Sequence, residues 1–142
     1  MLSDIPQVEG FRCEVDPHRA SVHIRPVGEL DIATAPVVDA QLSELQSAGF
    51  RSVVLDLHAI EFLDASGLRL ILKWDQAARA DGFSFAVLPG PPHVRRLFTL
   101  TGLTRILSFV DTRRTHAGPR PRPPLRARDA GSDGLLRVPG RG

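Results

Sequence analysis

The segment EFLDASGLRLIL, Glu61 to Leu72, holds the residues whose types and spacing could do chemistry. Ser66 places a hydroxyl two residues after Asp64 and directly before Gly67, with apolar residues on both sides. The pattern reads as a strand giving way to a helix, with Ser66 at the helix start. A hydroxyl in that position has three uses. It can cap the helix by accepting a backbone N–H. It can act as a nucleophile if a base activates it. It can also accept a phosphoryl group from a kinase, which adds about −1.5 to −2 charge.

The nucleophile use finds no support. The serine lies in D-A-S-G-L, not in the G-x-S-x-G of a hydrolase elbow. His58 is the only histidine nearby in sequence, and nothing orients it as a base. The five histidines, at 18, 23, 58, 93 and 116, show no metal-ligand spacing and no HExxH. Neither a P-loop nor GxGxxG is present. A phosphoacceptor role for Asp56 at a strand end would need an acid cluster for Mg²⁺ and a nearby lysine. The only lysine, Lys73, lies mid-helix after the wrong strand. The expectation is a non-enzyme with no metal and no cofactor. Capping and phosphoacceptance remain, and they are compatible, because unpaired N–H groups and the helix dipole both favour negative charge at a helix start.

The elements that must position this hinge are legible. FRCEV (11–15) alternates apolar and charged residues, D-P-H turns the chain, and ASVHIRPVG (20–28) alternates again. This predicts an antiparallel hairpin, with Pro26 at an edge or a strand end. GELD (28–31) reads as a loop. Thr34 can cap a first helix with Pro36 in its first turn and Gly49 as its stop. SVVLDL (52–57) and FSFAVL (83–88) read as strands buried on both faces. A second helix runs from about Ser66 to Asp81-Gly82, with Leu68, Ile71, Leu72 and Ala78 inward. A third follows PGPP with Val94, Leu97 and Phe98 inward, and RILSFV (105–110) is a last short strand or turn. A hairpin followed by strand–helix alternation predicts a mixed α/β sheet, antiparallel at its N-terminal hairpin and parallel beyond, with helices packed on it.

Composition sets the limits. The 142 residues suffice for one domain with a real core. No apolar run approaches the roughly 18 residues of a membrane span, and MLSDIPQVEG lacks the basic start and apolar block of a secretory signal. The single cysteine, Cys13, fits a reducing compartment, so a cytoplasmic protein is expected. The basic pI belongs to the tail: residues 113–142 carry eight Arg against Asp129 and Asp133, a net of +6, which leaves 1–112 at −4 within a total of +2. With five Pro, five Gly and no period, 113–142 reads as a disordered Arg/Pro/Gly-rich extension to a folded domain over 1–112. It holds no aromatic residue for base stacking, which argues against a nucleic-acid partner.

Three segments, VGELDIATA (27–35), VLDLHAIEFLDASGL (54–68) and VRRLFTLTGL (94–103), resemble in order and spacing the STAS domain, in the branch of bacterial anti-sigma factor antagonists. The resemblance covers about residues 10 to 111, and D-x-S-G-L is its most specific part. Ala65 departs from the pattern, in which a second serine is common, and leaves Ser66 the sole hydroxyl at the hinge. The resemblance implies a STAS-type fold and a binding protein. Its partner would be an anti-sigma factor, a serine kinase of the histidine-kinase ATPase type. That kinase would phosphorylate Ser66 and end the interaction, and a PP2C-type phosphatase would restore it. Asp31 and Asp64 match the family's loop acid and turn acid. On the second helix Ser66, Arg69, Leu70 and Lys73 fall at i, i+3, i+4 and i+7 and share a face. That face is either a solvated stripe or a partner surface, with Leu70 giving apolar area, Arg69 meeting an acidic partner and Gly67 admitting the partner's backbone. The alternative function is a STAS module that binds without being phosphorylated, as a transporter accessory subunit or a signalling scaffold.

Overall fold

The computed structural model describes residues 6–18 and 21–110; the tail read from 113–142 lies outside the described residues. The elements run β1 (Arg12–His18), β2 (Ser21–Leu30), α1 (Ala35–Ser47), β3 (Ser52–Asp56), β4 (Ile60–Leu63), α2 (Ala65–Asp81), β5 (Ser84–Leu88) and α3 (Pro92–Leu100), then a 3₁₀ turn over Leu103–Arg105. The alternating segments at the start do pair as an antiparallel hairpin, with Val15 opposite Ile24 and Cys13 opposite Pro26. The sheet order is β1-β2-β3-β5, and β4 joins β2.

β2 is the spine. It pairs in parallel with β3 through Ser21–Ile24 and with β4 through Gly28–Leu30. Two expectations are corrected here. Pro26 is neither at an edge nor at the strand's end. It falls between the stretches that β3 and β4 pair, so its missing N–H costs no parallel ladder bond. Gly28, Glu29 and Leu30 are strand rather than loop, with a register shift between Gly28 and Glu29. Gly28 sits at φ 121°, and a Cβ there would lie 2.9 Å from the Gly10 carbonyl oxygen. This is a bulge that only glycine fits. The strand that gives way to α2 is β4, Ile60–Leu63.

Even-numbered β2 residues are buried, and odd-numbered ones beyond Ser21 are half-buried or exposed. On the buried side Val22, Ile24, Leu30, Leu55 and Val87 of the sheet meet Val38 of α1, Ile71 of α2 and Val94 of α3, all fully buried. Each such side chain contributes about 1.5–3 kcal/mol. β3 is not apolar on both sides. Val54 is half-buried because it stands beside His23 in a row with Arg25 and Asp56. In that row Arg25 donates to Asp56 at 3.1 Å and to Glu14 at 3.2 Å. Burial works against the Asp56 charge, but the His58 backbone N–H, the His58 imidazole and the Arg25 guanidinium outweigh it and hold the carboxyl below its usual range.

The two helices after the hairpin are tied together by Asp39 of α1, which accepts from Lys73 Nζ at 2.9 Å and Trp74 Nε1 at 2.8 Å. α2 ends at Gly82 in the left-handed region, as its sequence predicts. Residues 108–110 run along β5, where Val87 N–H donates to Ser108 O and Val110 N–H to Val87 O, each at 2.8 Å.

Candidate functional site

The parallel pairing of β2 with β4 builds the site. Leu30 lies opposite Leu63, so the residues that follow them, Asp31 and Asp64, stand next to each other at the carboxyl ends of adjacent strands. That end of a parallel sheet is where open α/β folds place their sites. The Asp64 N–H donates to Leu30 O at 3.3 Å, fixing the turn into α2.

Asp64 is the N-cap of α2. Its backbone is extended, at φ −112° and ψ −169°, and its Oδ1 accepts from Ser66 N–H at 2.9 Å and Gly67 N–H at 3.3 Å. This corrects the reading of Ser66 as the cap. Ser66 is the second residue of the helix, and its half-buried hydroxyl caps nothing. The helix end is also less open to an anion than its sequence suggests, because the carboxylate already holds two of its free N–H groups. The Ser66 Oγ accepts instead from Arg69 Nη2, one turn along, at 3.4 Å.

Asp31 has local work too. Its Oδ1 accepts from Ala33 N–H at 3.0 Å and Thr34 N–H at 3.1 Å, and its own N–H donates to Thr34 Oγ1 at 2.8 Å. Thr34 occupies the cap position of α1 but makes no side-chain capping bond to the helix. Its hydroxyl donates to Glu29 O at 2.6 Å. Asp31 therefore shapes the loop that enters α1.

The expected face of α2 divides. Ser66 is half-buried and Arg69 and Lys73 are exposed, but Leu70 is only 6% exposed and packs into the core. It offers no contact area to a partner. The buried stripe of α2 is Gly67, Leu70, Ile71, Trp74 and Ala78, and Leu70 belongs to it. Gly67 is not an opening for a partner's backbone. It is buried, and a Cβ on it would run into Leu63 Cδ1 and lie 3.0 Å from Leu30 Cγ. The close approach it permits is to its own strands. Lys73 is engaged with Asp39.

Two residues that sequence reasoning missed stand at the same end of the sheet. Ile32, beside Asp31, is 77% exposed, and Phe62, before Leu63, is 48% exposed. A large apolar side chain next to a loop acid, in ELDIA, was the available signal. No imidazole is aimed at Ser66 from the nearby histidines: the His58 ring bonds Asp56 at 2.8 Å, and the His93 ring lies 2.8 Å from Glu61 O.

Fold and site together define a small mixed α/β domain whose distinctive chemistry is a partly exposed serine at a helix start. The family model described as "Mlab, STAS domain" matches residues 13–110. The anti-sigma F factor antagonist of Paenibacillus polymyxa is 34% identical over 102 residues, covering 71% of this chain and 87% of that protein. The crystal structure of an anti-sigma factor antagonist from Mycobacterium paratuberculosis superposes with a TM-score of 0.60 at 27% identity, covering 72% of this chain and 86% of that one. The Bacillus cell fate determinant SpoIIAA in its phosphorylated form shares the fold, with a TM-score of 0.57 at 24% identity over 75% of this chain and 96% of that one. This chain belongs to the STAS domain family, in its anti-sigma factor antagonist branch.

Proposed function

We propose that this protein is a cytoplasmic, non-enzymatic antagonist that binds an anti-sigma serine kinase and is switched off when that kinase phosphorylates Ser66, so that it regulates sigma-factor-dependent transcription. The observation that carries the reading is the division of labour at the start of α2. Asp64 does the capping, which leaves the Ser66 hydroxyl half-buried at the surface with no backbone partner. In the transfer, Ser66 Oγ loses its proton and bonds the γ-phosphorus of ATP, while the bond to the bridging oxygen breaks and ADP leaves. A phosphatase of the PP2C type reverses the state by hydrolysis, releasing inorganic phosphate.

The docking surface in this reading is the carboxyl end of β2 and β4 with the first turn of α2. Ile32 and Phe62 supply apolar area, and Asp31, Asp64 and Arg69 supply charge. A phosphate on Ser66 sits beside the Asp64 carboxylate and must be desolvated with it when a partner docks. At about 6 Å and an effective dielectric near 20, one unit of such repulsion is about 3 kcal/mol, over a hundredfold in affinity. Ser66 is half-buried and lies outside the buried stripe of α2, so binding is lost while the fold survives.

Incubation with a purified anti-sigma kinase and ATP, followed by mass spectrometry, tests the reading. Wild type should take up one phosphoryl group on Ser66, and Ser66→Ala should bind the kinase and take up none. Equal phosphate on the Ser66→Ala protein would sink it.

A further inference from the structure

We infer that Arg69 is the residue that holds the phosphate of phosphorylated Ser66. The inference rests on the reading of Ser66 as a phosphoacceptor and adds the group that receives the modification. Three observations support it. Arg69 Nη2 already lies 3.4 Å from Ser66 Oγ, so phosphate oxygens projecting beyond Oγ fall within the roughly 2.8 Å of a charge-assisted hydrogen bond. Arg69 is exposed, and among the described residues no carboxylate pairs with it. The other candidates for counter-charge are occupied. The N–H groups of Ser66 and Gly67 are held by Asp64, and Lys73, two turns from Ser66, is paired with Asp39 at 2.9 Å.

The helix end thus presents the new anion with a carboxylate rather than with free donors, and a guanidinium one turn along must supply the balance. Its planar fork suits two phosphate oxygens at once. The pairing also removes Arg69 from whatever acidic group it would meet on a partner. Phosphorylation then acts twice, by adding charge at Ser66 and by withdrawing a cation from the same surface.

The test installs phosphoserine at position 66 of the full chain during translation, so that no kinase takes part. The second ionisation of the phosphate is then followed by ³¹P NMR against pH at low salt. An unperturbed phosphoserine titrates near about pH 6. With Asp64 present throughout, the wild-type value should lie about half a unit below that of Arg69→Ala and Arg69→Gln, a shift of the size an exposed ion pair produces. Arg69→Lys should fall between, and Lys73→Ala should match wild type. Thermal melts establish that each variant is folded, and Arg69→Gln keeps the side-chain stem. Values for Arg69→Ala and Arg69→Gln that coincide with wild type, or a shift that follows Lys73 instead, would overturn the inference. A Ser66 that no kinase modifies would sink the proposed function and leave this titration to be decided on its own.

Discussion

Replacing Asp64 by alanine should destabilise the domain by about 1–2 kcal/mol, while Ser66→Ala should change stability by less than about 0.5 kcal/mol. The asymmetry follows from the geometry at the start of α2. One Asp64 oxygen accepts two backbone N–H groups, at 2.9 and 3.3 Å. Removing an N-cap acceptor costs about 0.5–2 kcal/mol, typically about 1. The carboxylate charge at the positive end of the helix dipole adds about 0.3–1 kcal/mol. The Ser66 hydroxyl makes one long bond, at 3.4 Å, to an exposed arginine, and alanine is the better helix former. In a domain of this size each kcal/mol moves the melting temperature by about 4–8 °C, so Asp64→Ala should melt about 4–16 °C below wild type. Asp64→Asn, which keeps the acceptor and loses the charge, should recover most of that. Thermal denaturation followed by circular dichroism at neutral pH measures all three. If Ser66→Ala falls as far as Asp64→Ala, the serine shares the capping and the division of labour at the start of α2 is wrong.

Gly67→Ala should cost about 1–3 kcal/mol, because its Cβ would press on Leu63 and Leu30 in a filled core. A urea midpoint equal to wild type would show that those leucines yield freely. Asp56 carries a pH dependence of known sign. Its folded pKa is depressed, so its contribution is present above the unfolded value near about pH 4 and is lost as pH falls through the folded value below that. Asp56→Asn should therefore flatten the loss of stability between about pH 4 and pH 2, and melts across that range that keep the wild-type slope would refute the assignment.

Most of the fold was legible because its periodicities are clean: the hairpin alternation, the buried run of β5 and the apolar spacing of α3. β4 is short, and Glu61 and Phe62 are both exposed in succession, which blurs the alternation a strand should show. The end of β2 was read as loop because Gly28 and Asp31 are turn residues, and a glycine bulge inside a strand leaves the same trace in sequence. At the start of α2, the capping duty that the sequence offers to Ser66 belongs to Asp64. Two acceptors two positions apart, Asp64 and Ser66, can each cap one helix, and only the backbone shows that α2 begins at Ala65, so that the carboxylate does it. Leu70 was misplaced for a related reason. It follows Ser66 at i+4, which also puts it at i+3 from Gly67, on the edge where the surface face and the core stripe meet.

Among the described residues, two margins of the sheet carry features that discourage further strands. β1 carries Arg12, Glu14, Asp16 and Pro17, residues that discourage edge-to-edge pairing. On the other side, residues 108–110 lie along β5. Such margins disfavour extension of the sheet by another strand. In the proposed function, recognition falls to side chains at the carboxyl end of β2 and β4, where a single added group changes the outcome.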